Sequence, residues 1–145
     1  MKRYLLIFTI LMGAVCSYAQ SKSDQAQVLQ QCIDLPSIQS SYIKDGGAKP
    51  EQLGILVPGF AFPTDLTVTK FGKNVRFLSK SDLNAEGFTD YLFISKFEVK
   101  GRSASVTLIY YRNAFSNNFS SAQLNVELSK SGDTWNVVNS NIEKN

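Results

Sequence analysis

The second half of the chain alternates apolar and polar residues between short turns, and this pattern constrains the fold more than any other feature. Segments 89–100, 103–112 and 122–129 alternate, and in the last the apolar residues are Ala122, Leu124, Val126 and Leu128. Because successive side chains of a strand point to opposite faces, each segment is predicted to be a strand with one buried face. Turns at Gly101-Arg102 and Ser131-Gly132 predict an antiparallel meander closed by a final hairpin over "TWNVVNSNI".

The segment 89–100 carries apolar residues on both sides. Extended geometry puts Tyr91, Phe93, Phe97 and Val99 on one face, and puts Leu92 and Ile94 on the other together with the charged Lys96, Glu98 and Lys100. We therefore predict a strand that is covered on both faces at its beginning and on one face at its end.

The stretch "SDQAQVLQQCIDL" (23–35) predicts an amphipathic helix at the N-terminus of the domain. Its apolar residues Val28, Leu29, Cys32 and Ile33 fall on one face, and Ser23 and Asp24 are suited to a cap and first turn. Pro36 is expected to end or kink this helix, and "PSIQSSYI" predicts a second short helix with proline in its first turn.

The middle of the chain predicts shorter elements. Residues 53–57 and 74–79 are apolar enough for short strands, and 81–87 suit a turn or a single helical turn. Together these patterns predict an α+β fold, in which the N-terminal helix (kinked or divided in two) packs on a curved antiparallel sheet of about five or six strands.

The order of a helix followed by an antiparallel sheet resembles the cystatin-like and nuclear-transport-factor-like α+β domains. The ending "AQLNVELSKSGDTWNVVNSNI", with Trp135 shortly after a glycine turn, is similar to their last hairpin, and the resemblance extends over residues 88–142. It departs at 48–80, where such domains usually have further helices. The chain also resembles small exported bacterial proteins of unknown function. The resemblance implies a helix packed on a curved sheet, and it transfers no functional residue.

The first 19 residues have the layout of a secretory signal peptide. Lys2 and Arg3 precede an uncharged apolar run from Tyr4 to Val15, which is too short for a permanent span, and small residues follow. We expect cleavage after Ala19, a single domain over 20–145, and a periplasmic or secreted location without a transmembrane span. The alternative is a lipoprotein acylated at Cys16, but Val15 is a poor residue before that cysteine.

Removal of this leader leaves the chain almost neutral. The 15 Lys and Arg residues include Lys2 and Arg3, so 13 remain against 12 acids. No block of like charge remains, and nucleic acid is therefore not an expected partner.

The scarcity of cysteine and histidine excludes several chemistries. The predicted mature domain has Cys32 alone, so it forms no internal disulfide, and the helical stripe predicts that this thiol is buried. The chain has no histidine. That removes the Ser-His-Asp and Cys-His arrangements and the commonest zinc ligand sets. We expect neither a metal nor another cofactor.

Two aromatic segments are candidates for binding. In "VPGFAFPTDLTV" (57–68), Phe60, Phe62, Leu66 and Val68 share one face of an extended chain. One interpretation is an edge strand, tolerant of proline, whose phenylalanines close the core. The other is a groove lined by Phe60 and Phe62. In "RNAFSNNFSS" (112–121), Phe115 and Phe119 lie in a Ser- and Asn-rich connection, which either carries binding function or folds onto the sheet.

Carboxylates are the only catalytic candidates. Asp82 and Glu86 are four residues apart, and Asp65 or Asp90 are further candidates. A carboxylate buried in an apolar cone acts as a general base in some enzymes that resemble this fold. Acids in solvated turns are far commoner, so no residue is assigned a catalytic role.

These observations favour an exported, non-enzymatic binding protein. Its expected partner is another envelope or secreted protein, or a small apolar ligand. Two alternatives stay open: a small carboxylate enzyme or ligand carrier with a cone-shaped pocket, and an inhibitor or immunity-type protein that acts on a secreted enzyme.

Overall fold

The computed structural model describes residues 22–42, 51–59 and 62–144. Helix α1 covers residues 22–33, α2 is Pro36–Gln39, and a 3₁₀ turn follows at Ser40–Tyr42. The predicted leader, Cys16 and Phe60 lie outside the described residues. Within the described ranges, no helix combines the length and apolarity needed to cross a membrane.

The remaining elements form one six-stranded open sheet, one small hairpin and a third helix. Their bounds in chain order are β1 (Gly54–Leu56), β2 (Thr69–Lys70), β3 (Lys73–Asn74), β4 (Arg76–Leu78), α3 (Lys80–Glu86), β5 (Tyr91–Lys100), β6 (Ser103–Arg112), β7 (Ser120–Ser131) and β8 (Thr134–Lys144). The large sheet has the order β4-β1-β5-β6-β7-β8, and β2 and β3 pair with each other. The prediction of an α+β fold with a mostly antiparallel sheet is confirmed.

The meander β5–β8 forms as the alternation predicts. Its first and last hairpins turn at Gly101 and Gly132, which have φ values of 58° and 59°. These left-handed conformations cost glycine little, because it has no Cβ. The alternate apolar residues of β6 and β7 all point into one core, together with the buried Trp135 of β8.

The start of the sheet departs from a purely antiparallel arrangement. Strand β1 pairs in parallel with both β4 and β5. The predicted strand at 74–79 is also divided: β3 ends at Asn74, Val75 is buried, and β4 begins at Arg76. The predicted turn at 81–87 is the helix α3. A capping box between Ser79 and Asp82 stabilises the N-terminus of this helix.

A β-bulge corrects the predicted faces of β5. The pairing with β6 shifts register between Ile94 and Lys96, so one extra residue lies in β5. Side chains on either side of the bulge therefore exchange faces. Phe97 and Val99 pack against the main core with Leu92 and Ile94, whereas Phe93 packs with Tyr91 in a second cluster on the opposite face. The prediction that Phe93 and Phe97 share a face is wrong.

Helix α1 contributes its predicted apolar stripe to the main core. Val28, Leu29, Cys32 and Ile33 are fully buried. Lys22 is already helical, so Ser23 lies within the helix and the prediction that it starts the helix is wrong. Asp24 is buried and connects the helix to the β7–β8 hairpin, because its Oδ1 accepts hydrogen bonds from Lys130 Nζ (2.5 Å) and Trp135 Nε1 (3.1 Å).

The segment after β1 is not an edge strand of the large sheet. The two edges are β4 and β8, and residues 62–68 have no strand pairing. The side-chain amide of Gln30 instead bonds both backbone groups of Thr69 at 2.9 Å, and Lys70 Nζ reaches the carbonyl of Ile33 at 3.1 Å. Helix α1 thus holds the end of this segment, where β2 begins at Thr69. The predicted burial of Phe62, Leu66 and Val68 is nevertheless confirmed.

Candidate functional site

Large apolar side chains are exposed at two places on the described surface. Phe115 (63% exposed) and Phe119 (50%) lie on the connection between β6 and β7, and Val138 (66%) lies on β8. We call residues 113–119 the aromatic loop. It contains two of the four residues that the sequence offers as binding candidates.

The aromatic loop is fixed at its start by the two residues that immediately precede β5. The N–H of Asn113 donates to Asp90 Oδ1 at 2.9 Å, and the N–H of Ala114 donates to the carbonyl of Thr89 at 2.9 Å. Asp90 is itself buried. The loop therefore begins from a position set by the residues that immediately precede β5.

Hydrogen bonds within the loop define its backbone further. The N–H of Ser116 donates to the carbonyl of Asn113 at 2.9 Å, and the N–H of Phe119 donates to the carbonyl of Ser116 at 3.2 Å. Ser116 Oγ also accepts from the N–H of Asn118 at 3.2 Å. Asn113 has φ = 52°, a left-handed conformation that asparagine tolerates better than most residues. Both phenylalanines are thus presented by a loop with a defined conformation.

A row of rings supports the end of the loop. Phe119 stacks on Tyr111 with a centroid distance of 5.9 Å and an interplanar angle of 26°, and Tyr111 lies 5.2 Å from Tyr91. Tyr91 belongs to the second apolar cluster, and burial raises the pKa of its phenol. The exposed ring of Phe119 is therefore continuous with buried aromatic residues.

A groove of about 280 Å³ lies beside the loop on the other face of the sheet. Arg112, which precedes the loop, and Ser120, which follows it, both line this groove, and the remaining lining residues are Ser40, Ser41, Tyr110, Ser121, Ala122 and Lys144. Burial and the nearby charge of Asp90 raise the pKa of Tyr110 to about 12, against an opposing effect of Arg112. The Tyr110 hydroxyl therefore stays protonated even in moderately alkaline solution.

The four candidate carboxylates do not form a catalytic cluster. Asp82 caps α3, and the bonds from Ser79 lower its pKa. Asp65 is exposed and pairs with Lys22, which lowers its pKa, and Glu86 pairs with Arg76. Asp90 is buried and holds the aromatic loop. Among the described residues, no group of three or more His, Cys, Asp or Glu side chains is placed to hold a metal ion.

The structure separates the two aromatic segments. Phe62 is 9% exposed in the main core, where its ring meets Phe97 edge-on at 5.2 Å and Phe77 at 5.9 Å. Phe115 and Phe119 are on the surface.

The sequence did not identify Tyr111 as a support for the loop. A tyrosine within a strand gives no local signal that it stacks on a residue eight positions later in the chain.

Comparisons with known proteins return no relatives. No family model matches the chain, no curated protein matches it, and no solved structure matches it.

Proposed function

We propose that this protein is an exported binding protein without enzymatic activity, and that the aromatic loop is its contact surface for another envelope or secreted protein. One observation carries the proposal: Phe115 and Phe119 are at least half exposed on a loop whose backbone is held by hydrogen bonds. Exposed aromatic residues on an ordered loop supported by a rigid sheet are a common form of binding site.

Energetic considerations favour this surface as an interface. Full burial of a phenylalanine side chain contributes about 1.5–3 kcal/mol relative to exposure. An ordered loop also loses little conformational entropy on binding, so less of this gain is offset. The stacking of Phe119 on Tyr111 restricts its ring before a partner arrives. Such a loop resembles, in physical terms, the preorganised surfaces of tight protein complexes.

The surroundings of the loop favour a protein partner over a small apolar ligand. The adjacent groove is lined by four serines and by the cationic Arg112 and Lys144, which suit the polar backbone and acidic side chains of a protein. The apolar interior below it is filled by side chains such as Tyr110 and Leu124, which are buried. A carboxylate enzyme has less support, because Asp90 bonds the loop backbone and the other candidate acids lie at the surface.

Export is the part of the proposal that rests on sequence. The basic residues Lys2 and Arg3, the apolar run and the small residues before Gln20 support cleavage after Ala19 rather than acylation at Cys16. The mature domain would then be 20–145, with α1 as its first helix packed on the sheet. Intact-mass measurement on protein from its host is expected to lack residues 1–19, and a diacylated N-terminus at Cys16 would contradict this.

Photo-crosslinking in the producing cell tests the proposed contact surface. A benzoylphenylalanine at position 115 is expected to form one discrete adduct on illumination, and mass spectrometry of this adduct is expected to identify an exported protein. The matched control carries the same residue at Arg102, an exposed turn position in the β5–β6 hairpin. Adding Phe119→Ser to the position-115 probe is expected to abolish the adduct.

The identity of the adduct also separates the remaining functions. A secreted enzyme whose activity falls when bound would make this chain an inhibitor or immunity-type protein, which is a specific form of the proposal. Equal adducts from positions 115 and 102, or an absence of adducts from position 115, would contradict the proposal.

A further inference from the structure

The two edges of the large sheet differ strongly in their protection. At one edge, β4 has three residues and is followed directly by α3, to which the ion pair of Arg76 and Glu86 connects it. At the other edge, β8 has eleven residues and, in the part of the chain that the structure describes, pairs only with β7. Short strands, prolines and lysines usually protect sheet edges from pairing. Strand β8 contains no proline, and its single lysine is its last residue.

A bulge at the centre of β8 determines which side chains point to each face. Leu128 pairs with Val137, but Glu127 pairs with Asn139, so Val138 is the extra residue. Trp135, Val137, Ser140 and Ile142 lie on the core side, opposite Lys130, Leu128, Val126 and Leu124. The outer side carries Thr134, Asn136, Asn139, Asn141 and Glu143, together with Val138, which lines an outer-face depression beside Ser105 and Glu127.

We infer that β8 pairs in antiparallel fashion with β8 of a second copy of this chain, around a two-fold axis between Val138 and Asn139. In this register Val138 lies opposite Asn139 of the second copy. Four further pairs join positions on the same face, and each pair occurs twice: Trp135 with Ile142, Val137 with Ser140, Asn136 with Asn141, and Thr134 with Glu143. The two six-stranded sheets become one continuous sheet.

The bulge makes this register unique among nearby ones. A slip of one residue places outer-side Thr134 opposite core-side Ile142, and every pair except the central one then joins side chains on opposite faces. A slip of two residues places Val137 opposite Val138, or Asn139 opposite Ser140, which again joins a core-side position with an outer-side one. Only the register centred between Val138 and Asn139 keeps faces matched along the whole strand.

Charges at the ends of β8 favour the same arrangement and specify a second copy as the occupant. Asp133 immediately precedes β8, and Lys144 ends it. The inferred register brings Asp133 beside Lys144 of the second copy, and symmetry repeats this pair at the other end. The exposed Val138 lies at the axis, where both copies withdraw it from water together.

Sedimentation velocity on the intact protein over about three orders of magnitude in concentration tests the inference. We expect a monomer–dimer equilibrium that is weakened about tenfold or more by Val138→Lys, because two lysines would meet at the axis. Val138 is exposed, so this variant is expected to fold like the parent. The matched control is Asn84→Lys, an exposed position of α3 beside the opposite edge of the sheet, which is expected to leave the equilibrium unchanged.

A charge exchange provides a second, independent test of the register. Asp133→Lys and Lys144→Asp are each expected to weaken the dimer several-fold, and the double exchange is expected to restore it. Phe119→Ser is expected to have no effect, which separates this inference from the proposed function. A protein that is monomeric at every concentration, a dimer insensitive to Val138→Lys, or a double exchange weaker than both single variants would overturn the inference.

Discussion

Asp90 and Asn113 are joined by a hydrogen bond of 2.9 Å from the backbone N–H of Asn113 to Oδ1 of Asp90, across 23 positions of sequence. The bond connects the residue before β5 to the first residue of the aromatic loop. Asn113 is also where the backbone enters its left-handed conformation. A buried carboxylate therefore determines where the loop begins, and this explains how a stretch rich in serine and asparagine presents two phenylalanines in one conformation.

Asp90→Ala is expected to lower the free energy of unfolding by about 1–3 kcal/mol, because it leaves the Asn113 N–H without this acceptor. Asp90→Asn keeps an acceptor oxygen of similar shape, so its cost is expected to be smaller. Urea melts measure both, with Glu127→Ala at an exposed outer-face position as the control. Amide exchange at Ser116 and Phe119 is expected to accelerate in Asp90→Ala alone. Unchanged exchange at both amides would show that Asp90 does not order the loop.

The two acids that connect α1 to other elements are expected to differ greatly in their contribution. Asp24 and Lys130 are both nearly buried, and Trp135 also donates to this carboxylate. Asp24→Ala is expected to cost about 3–5 kcal/mol, because it leaves a buried ammonium without its counter-charge. Asp65 pairs with Lys22 in solvent, so Asp65→Ala is expected to cost far less than Asp24→Ala. Thermal or urea melts of the two variants compare them, and equal losses would contradict the account.

The buried thiol of Cys32 is expected to make the free energy of unfolding depend on pH in the alkaline range. Burial raises the pKa of its thiol from 9.0 to about 12. Above pH 9.0 the unfolded chain loses this proton while the native chain keeps it, so the free energy of unfolding falls by about 1.4 kcal/mol per pH unit between the two values. Below 9.0 both states are protonated, and the thiol contributes no pH dependence.

Cys32→Ala isolates this contribution from that of other alkaline groups. The variant is expected to be less stable than the parent at neutral pH by about 1 kcal/mol. Urea melts between about pH 8 and 11 are expected to show this difference vanishing near about pH 10 and reversing above it, because only the parent carries the buried thiol. A difference that stays constant with pH would show that the thiol titrates normally.

Thiol labelling provides a separate test of the burial of Cys32. A polar thiol reagent is expected to react slowly with the native protein and quickly after denaturation, because the native thiol is buried and protonated.

Phe62 tests whether the proline-containing segment belongs to the core. Phe62→Ala is expected to cost about 3–5 kcal/mol, since it removes a buried ring in contact with Phe97 and Phe77. Thr67→Ser, at an exposed position of the same segment, is expected to be nearly silent. Urea melts of both variants decide the point. If Phe62→Ala unfolds at the same urea concentration as the parent, the segment is not part of the core.

The elements of this fold that the sequence predicted well are those with long, regular periodicity. Ala122, Leu124, Val126 and Leu128 alternate along β7, and the stripe of α1 repeats at helical spacing, so local pattern and burial agree. The β5 faces were mispredicted because a bulge after Ile94 adds one residue, and a bulge has no reliable local signal. Parallel pairing of β1 was also missed, because such pairing depends on contacts distant in sequence.

The candidate site was predictable only in part. Phe115 and Phe119 could be proposed because they interrupt a Ser- and Asn-rich connection, which is typical of a surface loop. The role of Asp90 could not be predicted, because it depends on a contact with Asn113, which follows the end of β6 and lies far away in sequence. In the proline-containing segment, the alternation of apolar residues correctly predicted the burial of Phe62. The hydrogen bonds between Gln30 of α1 and Thr69 at the end of this segment could not be predicted, because they join residues distant in sequence.

The affinity of the crosslinked partner for loop variants tests the central claim most directly. With the partner purified, the dissociation constant is expected to rise by about 100-fold to 1,000-fold for Phe115→Ser combined with Phe119→Ser, because aromatic hot spots each contribute about 2 kcal/mol when their effects add and somewhat less when they do not. The melting temperature is expected to stay near that of the parent, since both side chains are exposed. A folded double variant that binds the partner as tightly as the parent does would contradict the account.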